Sequence, residues 1–230
     1  MSLGAFSRYL PSNPAYITAH SFDQAGRRSI LNRSRIATTL ITQFFAPLTA
    51  IPSKPTVSIA SDLVTVHIPY YSHNPNAALN NNTVNSLGEV LTRNFGRPTE
   101  LRFIRLSYPY LDAHVLARWI SEELLDVNFV TLIKRVFASV APLKDLNQAG
   151  GSRLPSHIVG LKVQLHGRLT TETTRARQSE QSATLGSFRS DRLGIIQSAG
   201  YTATNAKGAY TVKVWLSQAA RGKELRSDVA

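Results

Sequence analysis

Residues 160–169 read GLKVQLHGRL. Leu161, Val163 and Leu165 fall on one side of an extended chain, with Lys162, Gln164 and His166 on the other. Strict alternation marks a strand with one face in a core and the other in water. The run closes on Gly167-Arg168, a tight stop followed by a cation. Residues 208–216, GAYTVKVWL, answer it: Tyr210, Val212 and Val214 alternate with Thr211, Lys213 and Trp215. If the two strands pair, Lys162 and Lys213 share the polar face. Arg168, Arg175, Arg177, Arg189, Arg192 and Lys207 lie around and between them, against only Glu172, Glu180 and Asp191. A small sheet dressed in cations and short of acids is the electrostatic footprint of a polyanion-binding surface.

The whole chain carries the same bias. Its 230 residues have a formal charge of +12, although only 17% are charged, so the imbalance comes as much from missing acids as from added bases. At 43% hydrophobic it can bury real cores, and its length allows one large domain or two small ones. The surplus favours a phosphate-rich partner. An anionic membrane surface would satisfy the charge alone, but the cations sit on a strand-rich region rather than on a basic amphipathic helix. No apolar run approaches the roughly 20 residues of a membrane span. With no cysteine there is no disulfide, thiolate metal site or cysteine nucleophile.

Outward from the basic sheet, the chain divides. Residues 1–27 form a basic N-terminal arm broken by Pro11 and Pro14; it reads either as a presequence or as a solvated arm. Residues 29–46 predict an amphipathic helix with Ile30, Ile36, Leu40, Ile41, Phe44 and Phe45 apolar, ending before Pro47. Strands follow at 56–60 and 63–70, with Val64, Val66 and Ile68 on one face. The Asn-rich stretch 72–85 reads as a loop. Val84, Leu87, Val90 and Leu91 predict a helix up to Gly96, and 99–106 a strand. Tyr108-Pro109-Tyr110 is a turn, Asp112 caps a helix carrying Leu116, Trp119 and Ile120, and a further helix spans about 127–140. Residues 142–155 form a joint. The expectation is an α+β protein of two domains: 28–110, then a connecting helix at 111–126, then a basic α+β domain at 127–218, with a polar tail at 219–230.

Catalytic machinery is not legible. His157, His166 and Asp191 are scattered among many serines, with no G-x-S-x-G, no H-E-x-x-H and no Walker loop. No catalytic residue, metal ligand or cofactor is expected. Trp119 falls on the apolar stripe of its helix, whereas Trp215 falls on the Lys213 face, where stacking on a base and simple packing are both open.

Three long motifs, PTELRFIRLSYPYLDAHVL (98–116), GLKVQLHGRLTTE (160–172) and YTATNAKGAYTVKVWLSQ (201–218), in this order and spacing, resemble the third protein of the ribosomal small subunit, the S-three family, and most closely its fungal mitochondrial form. The resemblance covers about residues 54–218. It implies a type II KH fold followed by an α+β RNA-binding domain. It also implies a place in the head of the mitochondrial small subunit in the matrix, beside the point where mRNA enters, with small-subunit rRNA, mRNA and neighbouring ribosomal proteins as partners. Under this resemblance Lys162, Arg168, Arg175, Arg177, Arg189, Arg192, Lys207 and Lys213 are expected on rRNA. Lys134, Arg135 and Lys144 are expected near incoming mRNA. Two departures stand out. The KH clamp needs G-x-x-G, but the equivalent stretch, 73–82, contains no glycine, so the first domain is a degenerate KH scaffold. The resemblance implies, from bacterial members, a pair of arginines just after a Phe; here Phe129 is followed by Val130 and Thr131, and only Lys134 and Arg135 match that cluster. The alternative to a ribosomal role is a free-standing RNA-binding factor with a KH-like domain.

Overall fold

A computed structural model describes residues 16–19, 21, 23–73, 79–140, 156–171, 179–186, 188 and 194–220. These form a mixed α and β structure with four α-helices and two separate sheets, divided into two compact units that meet at Leu111/Asp112. No described helix is long and apolar enough to cross a membrane.

The first unit runs in the order β1 (Ile17–Thr18), α1 (Gln24–Phe45), β2 (Ala50–Pro52), β3 (Thr56–Ile59), β4 (Val64–Ser72), α2 (Asn81–Phe95), β5 (Thr99–Leu106). Helix α1 starts earlier than its apolar periodicity suggested, because the Asp23 carboxylate accepts a hydrogen bond from the Gly26 amide and adds a polar first turn. Its buried face is Ser34, Ala37, Ile41 and Phe45, at helical spacing, while Ile36 is half exposed. The Asn-rich stretch is not loop throughout. Asn80 caps α2 by accepting from the Asn82 amide, so the helix begins at Asn81 inside the asparagine cluster. Asparagine is poor in a helix interior but among the best residues at its cap, which is why composition misled there. Gly96 ends α2 in the left-handed conformation.

Strand β4 is central to this sheet. It pairs antiparallel with β3 and β2 on one side and parallel with β5 on the other, and β1 extends β3. Val57, Val64, Val66 and Ile68 meet Ala37, Ile41 and Phe45 of α1 and Leu87, Leu91 and Phe95 of α2, so both helices cover one sheet face. Phe45, Tyr70 and Phe103 interlock at one end of this core, with ring centroids 5.6–6.5 Å apart. Immediately after β5, a single 3-10 turn spans Pro109–Leu111, and Tyr108 and Tyr110 stack at 5.0 Å.

The second unit holds α3 (Ala113–Glu123), α4 (Phe129–Ser139), β6 (Ser156–His166), β7 (Glu180–Gly186), β8 (Gly194–Asn205) and β9 (Gly208–Ala220). Asp112 caps α3, its Oδ1 accepting from the amides of His114 and Val115. The strand order β7-β6-β9-β8 is antiparallel throughout. Helix α3 packs on β8 and β9. There the Tyr210 hydroxyl donates to the Ser121 carbonyl at 2.9 Å, and the Arg118 guanidinium lies over the Tyr201 ring. Leu161, Val163 and Leu165 of β6 and Tyr210, Val212, Val214 and Leu216 of β9 are fully buried on this side. The alternation read from both stretches is therefore the alternation observed.

Candidate nucleic-acid interface

Among the described residues, nothing forms a buried layer over the central rows of the other face of the second sheet. Register fixes what it presents. One row across the strands is Thr184, Lys162, Trp215, Ser198; the next is Ser182, Gln164, Lys213, Gly200; the third is Glu180, His166, Thr211, Thr202. All twelve are exposed or half-buried. Lys162 and Lys213 are diagonal neighbours on this face, a geometry that brings side chains within roughly 7–8 Å. Like charges so close repel, and water or a polyanion must relieve them. The Lys162 ammonium lies 5.1 Å from the centre of the Trp215 ring. Neither lysine has a carboxylate partner among the described residues. The only acid on these three rows is Glu180, at the corner, where its Oε1 is 3.8 Å from His166 Nδ1.

The end of the sheet adds two cations by a backbone clamp. Gly167 has φ +113, and a Cβ there would sit 2.7 Å from the Ala209 carbonyl and 2.8 Å from Tyr210 Cα, so only glycine fits. Its amide donates to the Ser179 carbonyl at 2.7 Å. The chain then turns Arg168 into solvent. The two-residue turn between Asn205 and Gly208 closes on the same place. The Asn205 side-chain amide donates to the Arg168 carbonyl at 2.8 Å, while its Oδ1 accepts from the Lys207 amide. The Lys207 ammonium reaches the Thr170 carbonyl at 3.3 Å. Arg168 and Lys207, 39 positions apart in the numbering, are thus held at one end of the sheet, both exposed.

Of the cations expected on rRNA, Lys162, Lys213, Arg168 and Lys207 converge on one face and one end of this sheet. Arg175, Arg177, Arg189 and Arg192 lie outside the described residues, as does Lys144. Lys134 and Arg135 are exposed on α4, whose buried residues are Phe129, Leu132, Ile133 and Val136. Being adjacent, they diverge by about 100° around the helix. Gly167 was legible as a tight stop before Arg168, but Asn205, which joins that stop to the Lys207 turn, was not. The Asn205–Gly208 spacing of a two-residue hairpin was the available signal. Among the described residues no group of three or more His, Asp or Glu is placed to hold a metal.

What this arrangement can do chemically is hold phosphates. Comparison with known proteins points the same way. Residues 50–219 match the family model described as mitochondrial ribosomal protein (VAR1). The chain belongs to this family. The match takes in most of the first unit's sheet, both helices of the second unit and its whole sheet. A relative, the small ribosomal subunit protein uS3m of Mycosarcoma maydis, is 30% identical over 186 residues, which cover 72% of this chain and 67% of the relative. Membership in the VAR1 family makes this a structural, non-enzymatic protein of the mitochondrial ribosome, in the matrix, and of the S-three type that the three motifs resemble.

Proposed function

We propose that the chain is a structural constituent of the head of the mitochondrial small subunit, near the point where mRNA enters, and that it holds rRNA with the second unit's sheet. One observation carries this: the open face with Lys162 and Lys213, joined at its end by Arg168 and Lys207, offers four cations, and among the described residues just one carboxylate, Glu180, stands on its three rows. Phosphate contacts of this kind position a protein on RNA without reading sequence. Arg175, Arg177, Arg189 and Arg192 belong to the same proposed surface on charge alone. The domain at 28–110 is a KH-like scaffold without its glycine clamp, and it serves to pack against neighbouring ribosomal proteins. The basic domain at 127–218 binds rRNA, with the helix at 111–126 joining the two.

Lys134, Arg135 and Lys144 form the proposed edge facing mRNA. Val130 is 53% exposed and uncharged where the resemblance implies an arginine in bacterial members, so this edge guides mRNA by weak electrostatics and has little power to melt duplexes. Sedimentation of tagged protein tests the ribosomal reading: co-migration with small subunits is expected. Material that stays at the top of the gradient would favour a free-standing RNA-binding factor instead.

A further inference from the structure

Trp215 differs from every other large apolar residue of β9. Tyr210, Val212, Val214 and Leu216 are buried on the α3 side, whereas Trp215 is half-buried on the open face. Its cross-strand neighbours are Lys162 on β6 and Ser198 on β8, and its diagonal neighbours are Gly160 and Gln164 on β6 and half-buried Ile196 and exposed Gly200 on β8. Toward Gly200 the surface is low. Gly200 has no side chain, and a Cβ built there would meet nothing closer than 3.9 Å. The indole has Ile196 at one edge and the open Gly200 at the other, with a cation over its ring and a second cation two residues along its own strand.

A cross-strand Lys–Trp pair can simply stabilise a sheet. That accounts for Lys162, and Ile196 covers one edge of the ring, but neither accounts for a large ring set beside the second lysine and next to an open glycine. We propose that Trp215 is a stacking platform for one unpaired nucleobase, with Lys162 and Lys213 on the flanking phosphates and the Gln164 amide within reach of the base edge. This rests on the open face being an RNA surface and names its ligand more closely: single-stranded RNA. Bases in an A-form duplex are stacked on one another and cannot offer a face to the ring.

The test uses the full chain with Trp119→Phe, which leaves Trp215 as the sole indole of the two present. Oligouridylate, duplex RNA and inorganic polyphosphate are the probes. Oligouridylate should quench the fluorescence and polyphosphate should not. Trp215→Ala should weaken oligouridylate roughly tenfold or more while leaving polyphosphate unchanged, and Trp215→Phe should retain most of the affinity. Trp215→Phe preserves an aromatic ring on the strand, so it reports even if the alanine variant misfolds. Equal loss for oligouridylate and polyphosphate, or no quenching with both probes bound, overturns stacking and leaves the phosphate surface intact. Failure of all three probes to bind overturns both.

Discussion

The two units use their positive charge differently. In the first, arginines are staples. Arg33 donates to the Phe95 carbonyl at 2.8 Å and Arg97 to the Ala60 carbonyl at 2.6 Å, tying helix ends and loops to the fold. Arg102 makes two hydrogen bonds to Glu100 on the outer face of the sheet, and Lys54 lies over the Tyr16 ring. Exposed Arg28 and Arg35, seven residues apart, share one side of α1, with Arg27 about 100° from Arg28, so they line a helix rather than a sheet. The outer sheet face beyond Arg102 turns apolar, with Pro69 paired to half-exposed Ile104. In the second unit, four cations are gathered on one face and one end of a sheet, two of them diagonal neighbours. A net charge of +12 does not say which of these uses a cation serves; local partners do.

The comparison breaks most easily with fragments. Residues 112–220 should bind single-stranded RNA about a hundredfold more tightly than residues 16–111 in the same buffer, a difference near 2.7 kcal/mol. The fragment must begin at Asp112, because without α3 the buried face of β8 and β9 would be open. Comparable affinities by fluorescence anisotropy would end the distinction. Within the full chain, combining Lys162→Gln, Arg168→Gln, Lys207→Gln and Lys213→Gln should cost tenfold or more and reduce the slope of log affinity against log salt by about 3 to 4. Substituting Arg33, Arg97 and Arg102 should lower thermal stability and leave that slope alone.

Smaller effects sharpen the account. Gly167→Ala should destabilise by about 2 kcal/mol through its left-handed φ and the Ala209 contact, and should loosen Arg168 and Lys207 together. Asp112→Ala removes the acceptor for two amides and should cost about 1 kcal/mol in chemical denaturation. The smallest effect belongs to the first unit's ion pair. The hydrogen bond from Arg102 holds the Glu100 carboxyl below its usual value of 4.5. A lowered carboxylate pKa contributes stability that is complete above the unfolded value and is lost as pH falls through the folded one. Arg102→Met should flatten that part of the acid limb slightly, as followed by denaturation midpoints from neutral pH downward.

Much of this was legible in the sequence where one periodicity dominated. The alternation in 161–166 and 210–216 assigned the side chains of those stretches of β6 and β9 to their faces, and Asp112 announced α3. Strands β7 and β8 were not individually legible, because their core-facing residues include Gln181, Ala183, Ala199 and Ala203, too small or too polar to signal burial. Their pairing with β6 and β9 imposes the strand conformation. Strand β2, of three residues, was too short to show a period. The candidate site was half legible. Charge and alternation selected Lys162 and Lys213, but the joining of Arg168 to Lys207 depends on Asn205 and on a glycine that tolerates φ +113, neither of which carries charge.

The most direct test of the central claim is ultraviolet crosslinking of intact mitochondrial ribosomes, with nucleotide adducts on this chain located by mass spectrometry. Adducts are predicted in β6, in β9 and in the Asn205–Gly208 turn. Adducts confined to Ala15–Leu111, with none in the second unit's sheet, would contradict it.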